Sequence, residues 1–215
     1  MNSNFKNKRF KMSIRTMTLA SIMTALVIVF TLLGNFIQLG FFNVSLALVP
    51  IVIGAATCGV YVGAWLGFIN GLTILLAGQA AGFMGISAFG TILVVMLKGV
   101  LCGFTAGLVY HLINKMKLIE KFRYKGEPIF AVKHNELLAV VAASAVCPIV
   151  NTLVFILGCL TIFLPTMRAG AEATGGSALG YILTTMVGLN FFFELAVNLI
   201  LAPTVSRLLE IRKKM

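Results

Sequence analysis

Basic residues in this chain fall in three clusters, and the stretches between them are almost free of charge. Lys6, Lys8, Arg9, Lys11 and Arg15 stand at the start. Lys115, Lys117, Lys121, Arg123, Lys125 and Lys133 fill one internal stretch, and Arg207, Arg212, Lys213 and Lys214 close the chain. Of the 17 Lys and Arg, only Lys98 and Arg168 lie elsewhere. The gaps divide into apolar runs of the length that crosses a bilayer, about 20 residues each. A water-soluble domain carries about 25% charged residues; this chain carries 11%, with 60% hydrophobic residues. The chain is therefore expected to be an all-α integral membrane protein, a single transmembrane domain over residues 1–215. Its partner by composition is the lipid bilayer. A net charge of +11 would suggest nucleic acid in a soluble protein. Here the clusters obey the positive-inside rule, and no nucleic-acid partner is expected.

The apolar runs divide into six expected spans: 12–37, 45–58, 60–77, 91–114, 136–164 and 181–209. An even number places both termini on one side, and the basic tail 1–11 and basic loop 115–135 make that side cytoplasmic. The short second run contains Pro50, so a bent or partly embedded helix is expected there, and Gly59 is expected to turn the chain into the third. The glycine-rich stretch 78–90 and the small-residue stretch 166–180 read as outward loops. The first run is too long for a signal peptide and no A-x-A site follows it, so it reads as an uncleaved span.

Two segments carry glycines four residues apart: Gly63, Gly67 and Gly71, then Gly99, Gly103 and Gly107. Each trio lies on one helix face. In lipid such faces let helices approach closely, which offsets the helix-propensity cost of glycine, about 1 kcal/mol each in water. The hairpin they define is expected to form one wall of a small-molecule site, because Asn70, Gln79 and Lys98 interrupt its apolar surface.

Lys98 lies roughly 10 Å below the outer start of its span, at 1.5 Å per residue. Glu194 sits within the last span, with Asn190 one turn above it on the same face, and Asn151 is near the middle of the fifth. Intramembrane ionisable groups are costly and usually face an interior or a cavity. Two readings stay open: Lys98 and Glu194 pair with one another, or Lys98 meets an anionic ligand while the Asn side chains bond its polar groups. Phe41, Phe42, Phe83 and Phe89 could lid such a site or anchor in the interface. Trp65 reads as packing.

The first span carries a face of small residues, with Ala20 and Thr24 beside Ser21 and Ala25. It suits a partner helix, or packing within the chain. Cys58, Cys102, Cys147 and Cys159 lie in apolar runs without CxxC or Cys/His spacing, so no metal site is expected. No HExxH, GxSxG or Walker pattern appears in a suitable context, so neither an enzyme nor a nucleotide site is expected in this chain.

In sequence the chain resembles the substrate-binding S component of energy-coupling factor (ECF) vitamin transporters. The likeness spans nearly its whole length: the basic start and TLASIMTALVIVF, then NVSLALVPIVIGA, GAWLGFINGL, GISAFGTILVVMLKGVLCGFTAGLVY and NTLVFILG, and a Glu-bearing last helix. The resemblance implies a six-helix protein in a bacterial plasma membrane that captures a vitamin from outside. It further implies a transmembrane coupling protein and two ATPase subunits as partners, which hydrolyse the ATP; no cofactor is implied in this chain. The SAFGT and NTLVF stretches are most similar to pantothenate-type members, with folate, pyridoxine and riboflavin as alternatives. The family's AxxxA docking motif is loosened here to Ala20/Thr24 or Ser21/Ala25. The candidate substrate-binding residues are Asn43, Asn70, Gln79, Lys98, Asn151, Asn190 and Glu194. The competing class is a stand-alone proton-coupled carrier of a small organic anion.

Overall fold

The protein is described by a computed structural model covering the backbone of residues 13–34, 38–39, 42–43, 45–116 and 128–214. Side chains are described for these residues except 38–39, 42–43, 128–134, 174 and 207–214.

Helix α1 (Ile14–Gly34) leads to a minimal antiparallel ladder, β1 (Gln38–Leu39) and β2 (Phe42–Asn43), with Gln38 opposite Asn43. Then come α2 (Leu48–Cys58), α3 (Val60–Leu76), one turn of helix α4 (Ala81–Met84) and the long α5 (Ala88–Met116). The second half comprises α6 (Pro128–Thr161), α7 (Leu164–Thr174) and the short α8 (Ala178–Tyr181). A π-helical turn (Ile182–Val187) then runs into α9 (Gly188–Lys214).

Four of these are long and apolar enough to cross a bilayer: α1, α5, residues 135–161 of α6, and the run Ala178–Ser206. The second and third expected spans are shorter. At 1.5 Å per residue α2 reaches only about 16 Å, half of a hydrocarbon core of about 30 Å. It is an interior helix, buried along Leu48 to Val52 and again at Gly54 to Ala56. Pro50 stands in the first turn, where a backbone N–H has no helical partner to lose. Gly59 does turn the chain as expected, at φ +104°, a conformation that favours glycine.

The glycine trios meet across α3 and α5. A Cβ placed on Gly63 or Gly67 would run into the backbone carbonyl of Gly103 or Gly99, and the reverse holds for Gly103 and Gly99. The two helices thus touch backbone to backbone. Around this seam Leu48, Ile51 and Val52 of α2 pack on Leu66, Cys102, Val140 and Cys147. The outward surfaces are apolar instead: Ile22, Val29, Leu93, Leu97, Leu153 and Phe192 are all exposed. Buried polar groups within an apolar exterior are what a hydrocarbon solvent selects. Trp65 belongs to that exterior. It is 52% exposed and stacks on Phe68 with ring centroids 5.8 Å apart, so it packs on a neighbour of its own helix rather than in the core.

The stretch 166–180 differs most from its expected form as a loop. Phe163 at the N-cap of α7, and Met167 and Ala171 within it, recur every four residues and are buried on one side, while Arg168 and Glu172 are exposed. The helix stops at Gly175, in the left-handed region at φ +70°, as a C-terminal glycine allows. The glycine-rich stretch 78–90 likewise holds the turn α4 and the start of α5.

Candidate binding cavity

A cavity of about 950 Å³ of empty space, mouth included, lies between α1, α3, α5, α6, the π-helical turn and α9. Five of the sequence candidates line it together: Gln79, Lys98, Asn151, Asn190 and Glu194. They come from four elements of the chain.

Lys98 follows from the seam. It precedes Gly99, whose backbone rests on α3 at Gly67, so its place is fixed by backbone contact. Its Nζ lies 5.9 Å from the centre of the Phe155 ring, within the range of a cation–π contact. Among the described residues it makes no ion pair and no hydrogen bond. The direct Lys98–Glu194 pair left open by the sequence is not made.

Glu194 is held from elsewhere. Its Oε1 accepts the Ser45 backbone N–H at 3.0 Å and the Asn190 amide Nδ2 at 3.4 Å. Asn190 is thus one turn away on the same face, as the spacing requires. Its Oδ1 is buried and has no hydrogen-bond partner among the described residues. Asn198 is tied off within the helix, its Nδ2 donating to the Glu194 carbonyl at 2.9 Å.

Gln79 does two things. It lines the cavity, and its Nε2 donates to the Thr31 carbonyl at 2.9 Å. Thr31 is among the last four residues of α1, whose carbonyls have no partner within the helix, so Gln79 satisfies one of them. Asn70 lies outside the lining. It is 1% exposed, and its carboxamide oxygen receives the Thr31 hydroxyl at 2.9 Å, a bond that joins α3 to α1. Asn43 lies in β2, and its side chain is outside the described residues.

The aromatic expectations divide. Phe83 lines the cavity and meets Phe155 and Phe163 edge to face, with centroids 5.8 and 4.9 Å away. Phe89 is 80% exposed and is not part of the lining. The side chains of Phe41 and Phe42 are outside the described residues. The sequence reading missed Phe155, Phe163 and Met186, which line the cavity, because an apolar side chain in an apolar span carries no signal of facing inward. It missed Ser45 because that contact is made by the backbone. It also passed over Glu136, a further carboxyl only 4% exposed, near the Asn135–Asn114 amide bond of 3.3 Å.

On α1 the small residues separate into two faces. Ala20 packs on the core and Thr24 is part-buried, its hydroxyl bonded to the Ala20 carbonyl at 2.8 Å. Ser21 and Ala25 are exposed, with the Ser21 hydroxyl turned back to the Met17 carbonyl at 3.0 Å. Only the second pair is open to a partner helix. Among the described residues no group of three or more His, Cys, Asp or Glu side chains is placed to hold a metal ion.

A cavity with few polar groups inside an apolar helical shell defines a membrane-embedded binding protein. The chain matches the family "ECF transporter, substrate-specific component" over residues 15–206 and belongs to it. It is therefore a membrane transport subunit and not an enzyme. ThiT from Listeria monocytogenes has a similar fold, with a TM-score of 0.55 at 16% sequence identity, covering 90% of this chain and 97% of that one. No curated protein matches the chain in sequence.

Proposed function

We propose that this chain captures a small water-soluble vitamin, with pantothenate the best candidate, from outside a bacterial plasma membrane. It would pass the vitamin through a transmembrane coupling protein driven by two ATPase subunits. In this reading the chain crosses the membrane in six passes, the interior α2 and the shorter α3 included, with both termini cytoplasmic. The observation that carries the proposal is Lys98, an ammonium without an ion-pair or hydrogen-bond partner among the described residues, on the wall of a cavity whose other polar groups are amides, hydroxyls and a carboxylate. Pantothenate brings a carboxylate for Lys98 and an amide and hydroxyls for Asn151 and Asn190. The exposed Ser21/Ala25 face of α1 is the proposed contact with the coupling protein.

Calorimetric titration of the purified chain with pantothenate tests the substrate, and co-purification with the coupling protein and ATPases tests the assembly. Lys98→Met removes a charge-assisted hydrogen bond of about 1.5–3 kcal/mol. Affinity should fall about ten- to a hundredfold, since 1.4 kcal/mol is a factor of ten. A well-folded Lys98→Met protein with full affinity would take Lys98 out of the site. Uptake by the chain alone in proteoliposomes, driven by a proton gradient, would favour the stand-alone carrier instead.

A further inference from the structure

Few charges surround the cavity. Residues 16–97 contain no Asp, Glu, Lys or Arg, so the connection between α1 and α2, the turn α4 and the whole of α3 bring none. Arg168 and Glu172 on α7 are exposed and are not part of the lining. Among the described residues the cavity therefore holds one cation, Lys98, and one carboxylate, Glu194, and the two are not paired with each other. Each is set differently. Lys98 has no hydrogen-bond partner among the described residues. Glu194 already receives two N–H donors on one oxygen, from Ser45 and Asn190. The amide that donates to it leaves its own Oδ1 buried and unpartnered. A carboxylate attracts donors, so the Asn190 amide is oriented with Nδ2 towards Glu194 and its acceptor end free. A buried acceptor left unpaired is costly, and a ligand donor can relieve it.

From this arrangement we infer that the cavity selects by charge count and polarity. It takes a ligand with one anionic group at Lys98 and an O–H or N–H donor at Asn190 and Glu194, and it refuses a second anion at the donor end. A second anion there would face a carboxylate and an amide acceptor with no cation to answer it, and like charges in a poorly solvated site repel strongly. The phosphomonoester of a hydroxyl-bearing vitamin acid is such a ligand. Glu194 is then the residue that sets specificity, and a reaction that phosphorylates the captured compound has to come after entry. This inference rests on the substrate-binding reading above, but it does not depend on pantothenate being the vitamin.

Thermal-shift and calorimetric titrations of the purified wild-type chain test it with a panel sorted by charge. Pantothenate, biotin and nicotinate are monoanions, pantothenol, pyridoxine and riboflavin are neutral, thiamine is a cation, and folate and 4′-phosphopantothenate carry more than one negative charge. The compound bound most tightly should be a monoanion. If it is biotin or nicotinate, the pantothenate assignment fails while the charge rule stands. A neutral, cationic or multiply anionic compound bound most tightly overturns the rule, and so does a panel in which nothing binds.

The variants sharpen the test. For the acid that binds, wild type should prefer it over its neutral alcohol or amide by about tenfold or more. Lys98→Met should collapse that ratio towards unity. Glu194→Gln should narrow the discrimination against the phosphomonoester at least tenfold, because it replaces the repelling carboxylate by an amide that can donate. Unchanged ratios in folded variants overturn the inference. Should either variant fail to fold, the wild-type ranking of charged and neutral compounds decides.

Discussion

Replacing Gly67 by alanine should cost this protein more stability than a single methyl group normally can. In most helices Gly→Ala is favourable, by about 1 kcal/mol. At Gly67 the new Cβ would lie well inside van der Waals contact with the carbonyl oxygen and carbon of Gly99, both of them backbone atoms of the facing helix. A side chain could rotate away, but a carbonyl in a helical ladder cannot, so α3 and α5 must part. Overpacking costs about 1–3 kcal/mol where neighbours can adjust, and here the upper end applies, about 3 kcal/mol. A separation of even 0.5–1 Å forfeits about a quarter to a half of the dispersion attraction between facing atoms. For a chain of this size 1 kcal/mol moves the melting temperature by about 2–4 °C, so a fall of about 6–12 °C is expected. Because Lys98 adjoins Gly99, ligand affinity should fall with it. The assay is a thermal melt in detergent, with Gly82→Ala as the control, since a Cβ there meets nothing within 4 Å. A Gly67→Ala protein as stable as the Gly82→Ala control would show that the helices do not meet backbone to backbone.

Other perturbations separate packing from recognition. Ala25→Phe should abolish uptake in the assembled transporter while the isolated chain still binds its ligand, whereas Ala20→Phe should lower the melting temperature, because Ala20 already packs on the core. Asn70→Ala should destabilise by about 0.5–1.5 kcal/mol through loss of the bond between α1 and α3, the Thr31 hydroxyl keeping the Val27 carbonyl at 2.6 Å, with only a small change in ligand affinity; a loss of affinity at unchanged stability would put Asn70 back in the site. In a cysteine-free background, a cysteine at position 169 should label from outside and one at 123 only from inside, and the reverse pattern would refute the proposed topology. Position 169 is exposed, whereas a Cβ at Gly170 would press on the Tyr181 ring.

How much of this could be read from the sequence depended on whether a residue type is rare in its surroundings. Lys98, Glu194, Asn151 and Gln79 were legible because a polar group within an apolar span has few reasons to be there, and all four line the cavity. The same argument overreached at Asn70, since a buried amide satisfied by Thr31 looks identical to one awaiting a ligand. The glycine seam was legible from its spacing of four. Helix α7 was not: its buried face is only Phe163, Met167 and Ala171, and in a stretch so rich in Ala and Gly three residues make no visible period. The π-helical turn was equally hidden. It depends on Gly188 at φ +35° and ψ −135°, and a glycine among apolar residues announces a close contact as readily as a backbone irregularity.

The seam between α3 and α5 divides the cavity into walls of unequal freedom to change. Where two backbones are in contact no side chain is left to trade, so the spacing of α3 and α5 stays fixed even where their own cavity side chains, Ile74, Thr91, Val94 and Val95, are exchanged. The facing wall is built from Asn151 and Phe155 on α6, Met186 in the π-helical turn, and Asn190 and Phe191 on α9. Those positions are ordinary side chains that can be exchanged one at a time. A chain descended from this one could therefore change what it carries by substitutions on α6 and α9 alone, with the ammonium of Lys98 held throughout at the same fixed point.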